Sequence, residues 1–105
     1  MVEGFASGDL DAVTGLARAV AVPGWSRESL ATSLADPAGS CVVVRDASGA
    51  LIGFALGRSA ADELEVLLVA VAPGARRRGV GRALVEALLA RANATTAHLE
   101  VRASN

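Results

Sequence analysis

Residues 63–72 read Glu-Leu-Glu-Val-Leu-Leu-Val-Ala-Val-Ala, followed at once by Pro73-Gly74 and then by Ala75-Arg76-Arg77-Arg78-Gly79-Val80-Gly81. No other stretch limits the fold as strongly. A strand so nearly continuous in apolar residues has to be covered on both faces, which a sheet wet on one side does not provide. Strict alternation puts Leu64, Val66, Leu68 and Ala70 on one face and Glu65, Leu67, Val69 and Val71 on the other. Downstream, Val80, Leu84, Val85, Leu88 and Leu89 recur at helical spacing through about Ala92, with Arg82 and Glu86 on the opposite face. After the short connection at residues 93–96, Leu99, Val101 and Ala103 alternate with His98, Glu100 and Arg102, which predicts a final strand over 97–103. Strand, helix and strand over 63–103 predict a right-handed parallel crossover.

The upstream half adds helices and a hairpin. Asp9 or Asp11 can cap a helix carrying Val13, Leu16, Ala17 and Val20, which ends before Pro23. Ser26 is a second cap candidate, before a short helix with Leu30 and Leu34 that stops at Asp36-Pro37-Ala38-Gly39. Residues 41–44 and 51–56 read as two strands joined by the turn Asp46-Ala47-Ser48-Gly49. The predicted class is therefore α/β, with a mixed, mostly antiparallel sheet flanked by helices. At 105 residues, one domain over 1–105 is expected. Apolar residues make up 52% and only three are aromatic, so Ala, Val and Leu must fill the core and disorder is excluded.

Composition removes several functions. The longest apolar run, residues 66–72, falls far short of the ~18 residues of a membrane-spanning helix. The first residues show no secretory signal, so a cytoplasmic protein is expected. One cysteine, Cys41, excludes an internal disulfide, and one histidine, His98, argues against a zinc site, so no metal is expected. Nothing cationic adjoins Cys41 in sequence, which makes it a core thiol and not a nucleophile. Trp25 reads as a packing anchor.

The net charge of −1 is unevenly spread. Residues 1–75 carry four arginines and nine acidic groups, whereas residues 76–105 carry six arginines and two acidic groups. Arg76, Arg77, Arg78, Gly79, Val80, Gly81 and Arg82 stand where a strand gives way to a helix. Free N–H groups at a helix start, glycines that admit close approach and nearby guanidinium groups make an anion site suited to a pyrophosphate. Gly74 and Gly79 have the spacing of a P-loop's glycines, but Val80-Gly81 replaces its Lys-Ser/Thr, which argues against ATP and GTP. A dinucleotide site stays open as an alternative, although the third glycine of that fingerprint is missing. A plain solvated turn is the other alternative. RNA phosphate is argued against by the single short cluster and the lack of interleaved aromatic residues.

With its preceding strand the loop resembles a known motif. Val69-Ala70-Val71-Ala72-Pro73, then Arg76-Arg77-Arg78-Gly79-Val80-Gly81-Arg82-Ala83-Leu84, is similar to the acetyl-CoA-binding motif of the GNAT acetyltransferases, Arg/Gln-x-x-Gly-x-Gly/Ala after a strand ending in Val-x-Pro. The closing Leu99-Glu100-Val101-Arg102-Ala103-Ser104-Asn105 resembles the corresponding strand of the family's RimI-type members, which acetylate the N-terminal alanine of a small-subunit ribosomal protein. Pro23-Gly24-Trp25-Ser26 resembles the turn into that group's second helix.

The resemblance implies a GNAT fold and transfer of acetyl from acetyl-CoA, the cosubstrate, to a protein N-terminal amine. It implies that backbone groups of Val69, Ala70 and Val71 pair with the pantetheine arm, one N–H at the end of that strand stabilising the oxyanion. Residues 76–82 would cradle the pyrophosphate, and Asn105 would touch the coenzyme. Glu100 matches the general base, with Glu65 in reserve; read from spacing alone, Glu100 could equally lie on a solvent face. RimI-type members continue with a tyrosine-bearing helix and further strands after Ala-Ser-Asn. A domain lacking its C-terminal part is thus expected, monomeric if complete and open to edge pairing as a fragment. The readings kept beside the enzyme are a non-catalytic coenzyme-A-binding fragment and a GNAT acting on a small-molecule amine.

Overall fold

The computed structural model describes residues 2–20, 24–92, 94 and 96–99. Five strands form one sheet in chain order: β1 (Val2–Gly4), β2 (Gly39–Arg45), β3 (Leu51–Ala60), β4 (Glu63–Val71) and β5 (Thr96–Leu99). The first three pairings are antiparallel, and β4–β5 is parallel. A parallel pair needs a crossover, which is helix α3 (Val80–Ala92). Helices α1 (Leu10–Ala19) and α2 (Arg27–Ala35) precede β2. The predicted mixed, mostly antiparallel α/β architecture is therefore present. Strand β1, too short to show a pattern of its own, is legible only from its pairing with residues 42–44.

Each face of the sheet has its own core. On one, Val13, Leu16, Ala17 and Leu30 of α1 and α2 pack on Val43, Phe54, Leu56, Leu68 and Ala70. On the other, Leu84 and Leu88 of α3 pack on Val42, Val44, Ala55, Leu64 and Val66. Helix α3 comes close to β3 because that strand carries Gly53 and Gly57 under it. A Cβ at Gly57 would lie 2.9 Å from both Leu64 Cδ1 and Leu88 Cδ2.

Strict alternation along β4 does not hold. Leu56 pairs with Leu68 but Gly57 pairs with Val66, so Leu67 is an extra residue on β4. A bulge of this kind moves every later side chain to the opposite face. Leu64 and Val66 accordingly belong to the α3 core, Leu68 and Ala70 to the α1/α2 core, and Val69 and Val71 pack on the α3 side. Glu65, between Leu64 and Val66, shares its face with Leu68 and Ala70, not with Val69 and Val71 as alternation implies.

The helix starts divide. Ser26 caps α2 as expected, accepting from Ser29 N–H at 3.1 Å while Ser29 Oγ accepts from Ser26 N–H at 2.8 Å. Asp9 stands at the N-cap position of α1, as one of the two expected candidates, but its side chain makes no cap hydrogen bond, and Asp11 lies inside the first turn. Asp9, 8% exposed, accepts from Ala6 N–H at 2.9 Å through Oδ2 and pairs with Arg45 Nη2 at 2.6 Å through Oδ1. Asp11 pairs with Arg27. The guanidinium at the end of β2 is the stronger partner for a nearly buried carboxylate, and the pair ties α1's entrance to the sheet.

These partners set an acid limit on stability. Arg45 and then Ala6 N–H hold the Asp9 carboxyl below its ordinary range, outweighing burial. Ala38 N–H and Arg58 do the same for Asp36, and Ser48 and Ala50 N–H for Asp46. A carboxyl whose folded pKa is depressed stabilises the fold above its unfolded pKa, and that contribution fades as pH falls toward the folded value. The melting temperature is therefore expected to be flat from pH 7 to about 5 and to fall below about pH 4. Asp9→Asn should melt lower at pH 7 and show a shallower acid slope; calorimetric melts from pH 7 to 2.5 check both.

Cys41 belongs to the α1/α2 core, and burial, with a smaller effect from Asp9, pushes its thiol up to about 12. With so little thiolate at pH 8, iodoacetamide should alkylate the native protein about a thousandfold more slowly than an ordinary thiol. Chain unfolded in guanidinium should react at the ordinary rate. Equal native and unfolded rates would contradict the packing.

Candidate active site

Strand β4 leads into a single 3₁₀ turn, Pro73–Ala75, anchored by the buried Ala75, whose N–H bonds to Ala72 O at 2.9 Å. Residues 76–79 then run exposed to the start of α3. Gly79 has φ +73°, and Arg77, with a side chain, has φ +67°. Two left-handed residues separated by one turn successive N–H groups toward a common concavity. Ala83 N–H to Gly79 O at 3.0 Å is the first helical bond. The backbone N–H groups of residues 77–82 have no acceptor among the described residues.

The guanidinium groups of the loop differ in their engagement. Arg76 Nε donates to Val71 O at 3.3 Å, Arg78 Nη2 to Gly74 O at 2.8 Å, and Arg82 pairs with Glu86 at 2.9 Å. Arg77 has no partner among the described residues. Gly81 sits over β4, where a Cβ would lie 3.9 Å from Val69 Cγ1 and from Val71 Cγ2. The loop and the end of β4 thus face each other.

Backbone direction along β4 follows from its ladder. Ala72 N–H bonds to Ile52 O at 2.8 Å, and Gly53 pairs with Val71, Phe54 with Ala70 and Ala55 with Val69. In an antiparallel ladder, alternate residues direct both polar groups to the same neighbour. Ala70 and Ala72 therefore face β3, while the N–H and C=O of Val69 and Val71 face the opposite edge. The contact from Arg76 to Val71 O agrees. Within the described residues β5 pairs only with residues 63–66, so that edge carries no strand beside Val69 and Val71. Of the three backbone positions expected from the resemblance, Val69 and Val71 point to the edge away from β3 and Ala70 toward β3.

Glu65 is half-buried, with Arg58 and His98 as its register partners on β3 and β5. Arg58 spends its guanidinium on Asp36, at 3.0 Å, and the Glu65 carboxylate has no partner among the described residues. Glu100 and Asn105 lie outside the described residues, as does the predicted final strand beyond Leu99. The orientation of Val69 and Val71, the bulge behind it and the positive φ of Arg77 carry no local sequence signal.

Residues 10–105 match the model of the acetyltransferase (GNAT) family. The chain belongs to this family. It is 36% identical over 85 residues to N-alpha-acetyltransferase RimI of Mycobacterium tuberculosis, covering 77% of this chain and 53% of that protein. The chain thus spans about half the length of the curated relative that it matches. Among solved structures, the ribosomal-protein-S18-alanine N-acetyltransferase from Escherichia coli superposes with a TM-score of 0.85 at 28% identity, over 100% of this chain and 68% of that one. A Mycobacterium tuberculosis protein solved in complex with CoA shares the fold, with a TM-score of 0.73 at 23% identity, over 88% and 57% of the two chains. The five-stranded order, the bulged β4 and the glycine–arginine bend are this chain's version of the GNAT fold. No helix among the described residues is long and apolar enough to cross a membrane.

Proposed function

We propose that this chain binds acetyl-CoA and takes part in acetyl transfer to an amine, the acceptor being a protein N-terminus and, within that class, the N-terminal alanine of a ribosomal protein. The observation that carries the reading is the run of N–H groups at residues 77–82 that have no acceptor among the described residues, beside the edge of β4 that faces away from β3. The residues fit the coenzyme. The six amides of residues 77–82 and the cations of Arg76, Arg77, Arg78 and Arg82 suit a diphosphate, with Gly79 and Val80 shaping the bend and Gly81 leaving room for close approach. Val69 and Val71 offer donors and acceptors suited to an amide-bearing arm, and one of their N–H groups suits a developing oxyanion.

When bound, the coenzyme supplies an acetyl group activated as a thioester. The protein's part is to hold it and to present a neutral amine. Glu65, and Glu100 by its place in the family motif, are the carboxylates for that task, one of them taking a proton from the acceptor's ammonium group. The acceptor class rests on the two relatives above, one an N-alpha-acetyltransferase and the other acting on ribosomal protein S18 alanine.

Incubation with acetyl-CoA and a peptide beginning with alanine tests the reading, with free thiol and peptide mass as readouts. Acetylated peptide with matching thiol release is expected. Coenzyme binding without product would favour a non-catalytic coenzyme-binding role, and product only with a small amine such as spermidine would replace the acceptor class. A shift in melting temperature with NAD and none with coenzyme A would overturn the site.

A further inference from the structure

We infer that Asp36 is a positioning residue for acetyl transfer, holding the Arg58 guanidinium over the start of β2 so that it does not pair with the Glu65 carboxylate beside it. This rests on the reading of Glu65 as the proton acceptor. Arg58 and Glu65 are directly opposed in the antiparallel ladder of β3 and β4, which brings Cβ atoms within about 5.5 Å and makes an ion pair the expected outcome for opposite charges. Both lie on the α1/α2 face, since Gly57 beside Arg58 faces α3, and Leu64 and Val66 beside Glu65 belong to the α3 core. The structure shows a different pairing. Arg58 Nε donates to Asp36 Oδ2 at 3.0 Å, and Glu65, half-buried, has no partner among the described residues.

Asp36 wins because the backbone delivers it. It follows the last residue of α2, its Oδ1 accepts from Ala38 N–H at 2.9 Å, and its own carbonyl accepts from Gly39 N–H at 2.8 Å. Gly39 is the register partner of Arg58 on β2, and a Cβ there would lie 2.6 Å from Ser33 O. The missing side chain lets the end of α2 settle on β2, and Asp36 reaches Arg58 across the gap. Ser59 N–H to Ala38 O at 2.8 Å fastens the same turn to β3. The consequence is chemical. In the transfer, a proton passes from the acceptor's ammonium to a Glu65 oxygen, and the electron pair of that N–H bond stays on nitrogen for attack on the thioester carbonyl. A guanidinium against Glu65 would occupy its oxygens and favour its charged form, weakening it as a base. The other ionisable groups around Glu65 are Glu63, two residues back on β4, and His98, its register partner on β5. Helices α1 and α2 pack on this face through Val13, Leu16, Ala17 and Leu30.

Wild type, Asp36→Asn and the double variant Asp36→Asn/Arg58→Gln test the assignment. Asparagine keeps an oxygen for Ala38 N–H and removes the charge that holds Arg58, and a thermal melt checks that each protein is folded. The pH midpoint of Glu65 is followed through its own carboxyl 13C resonance, which separates it from His98 and needs no turnover. The rate of acetylation of a peptide beginning with alanine is read beside it. In Asp36→Asn the midpoint should fall by about one unit and kcat at pH 7 by about threefold or more, with KM for acetyl-CoA unchanged. The double variant should regain both wild-type values, because the displaced guanidinium is gone. An unchanged midpoint in Asp36→Asn would overturn the inference, as would a fall that persists in the double variant, which would mark damage to the turn. A shifted midpoint with an unchanged rate would instead remove Glu65 as the proton acceptor, and the role of Asp36 in transfer with it.

Discussion

Gly81→Asp is expected to abolish binding of coenzyme A while leaving the protein folded. Gly81 is the second residue of α3, and a Cβ there would meet only Val69 and Val71 methyls at 3.9 Å, an ordinary contact. The native fold therefore has room for the first carbon of a new side chain. A carboxylate in the first turn also complements the helix dipole, worth about 0.3–1 kcal/mol, so the variant should melt no lower than wild type. The same charge stands among the amides of residues 77–82, where it would occupy the donors and repel a diphosphate. Juxtaposed like charges cost several kcal/mol, so affinity should drop by more than about a hundredfold. Titration calorimetry beside a thermal melt reads both halves. Wild-type affinity in a folded Gly81→Asp protein would remove the bend from the coenzyme site.

Gly57→Val should have the largest effect on folding. Even one carbon at Gly57 would lie 2.9 Å from Leu64 Cδ1 and Leu88 Cδ2 and 3.1 Å from Glu65 O, and valine brings two more. The leucine ends can shift only into a packed core, and the carbonyl belongs to the bulged strand. Overpacking of this kind costs about 1–3 kcal/mol, here toward the upper end, or a fall in melting temperature of about 10 °C or more. Shortening the opposing side chain with Leu88→Ala should recover part of the loss, giving a coupling of at least ~1 kcal/mol in a double-mutant cycle. Additive effects would show that α3 does not press on β3 at this point.

Both variants probe features of unequal legibility. The glycine–arginine bend could be recognised from residues 74–82, because turn, charge and helix start are local properties. The need for glycine at position 57 could not, since it depends on Leu88, thirty-one positions away, lying across that strand. Asp9 shows the same limit. Its local pattern predicts a helix cap, and its partner Arg45 wins because β2 delivers a guanidinium to a nearly buried carboxylate.

Periodicity and punctuation alone were enough for the helices α1 and α2, the hairpin of β2 and β3 and the parallel crossover through α3, since each follows from interactions spanning a few residues. Tertiary pairing decided which way the strand beneath the glycine–arginine bend faces. The extra residue at Leu67 arises only when β4 is laid against β3, and it puts Glu65 on the α1/α2 face and Val69 and Val71 on the α3 face. The ladder then directs the backbone groups of Val69 and Val71 outward and those of Ala70 inward. Register is a relation between two strands, and no single segment of sequence contains it.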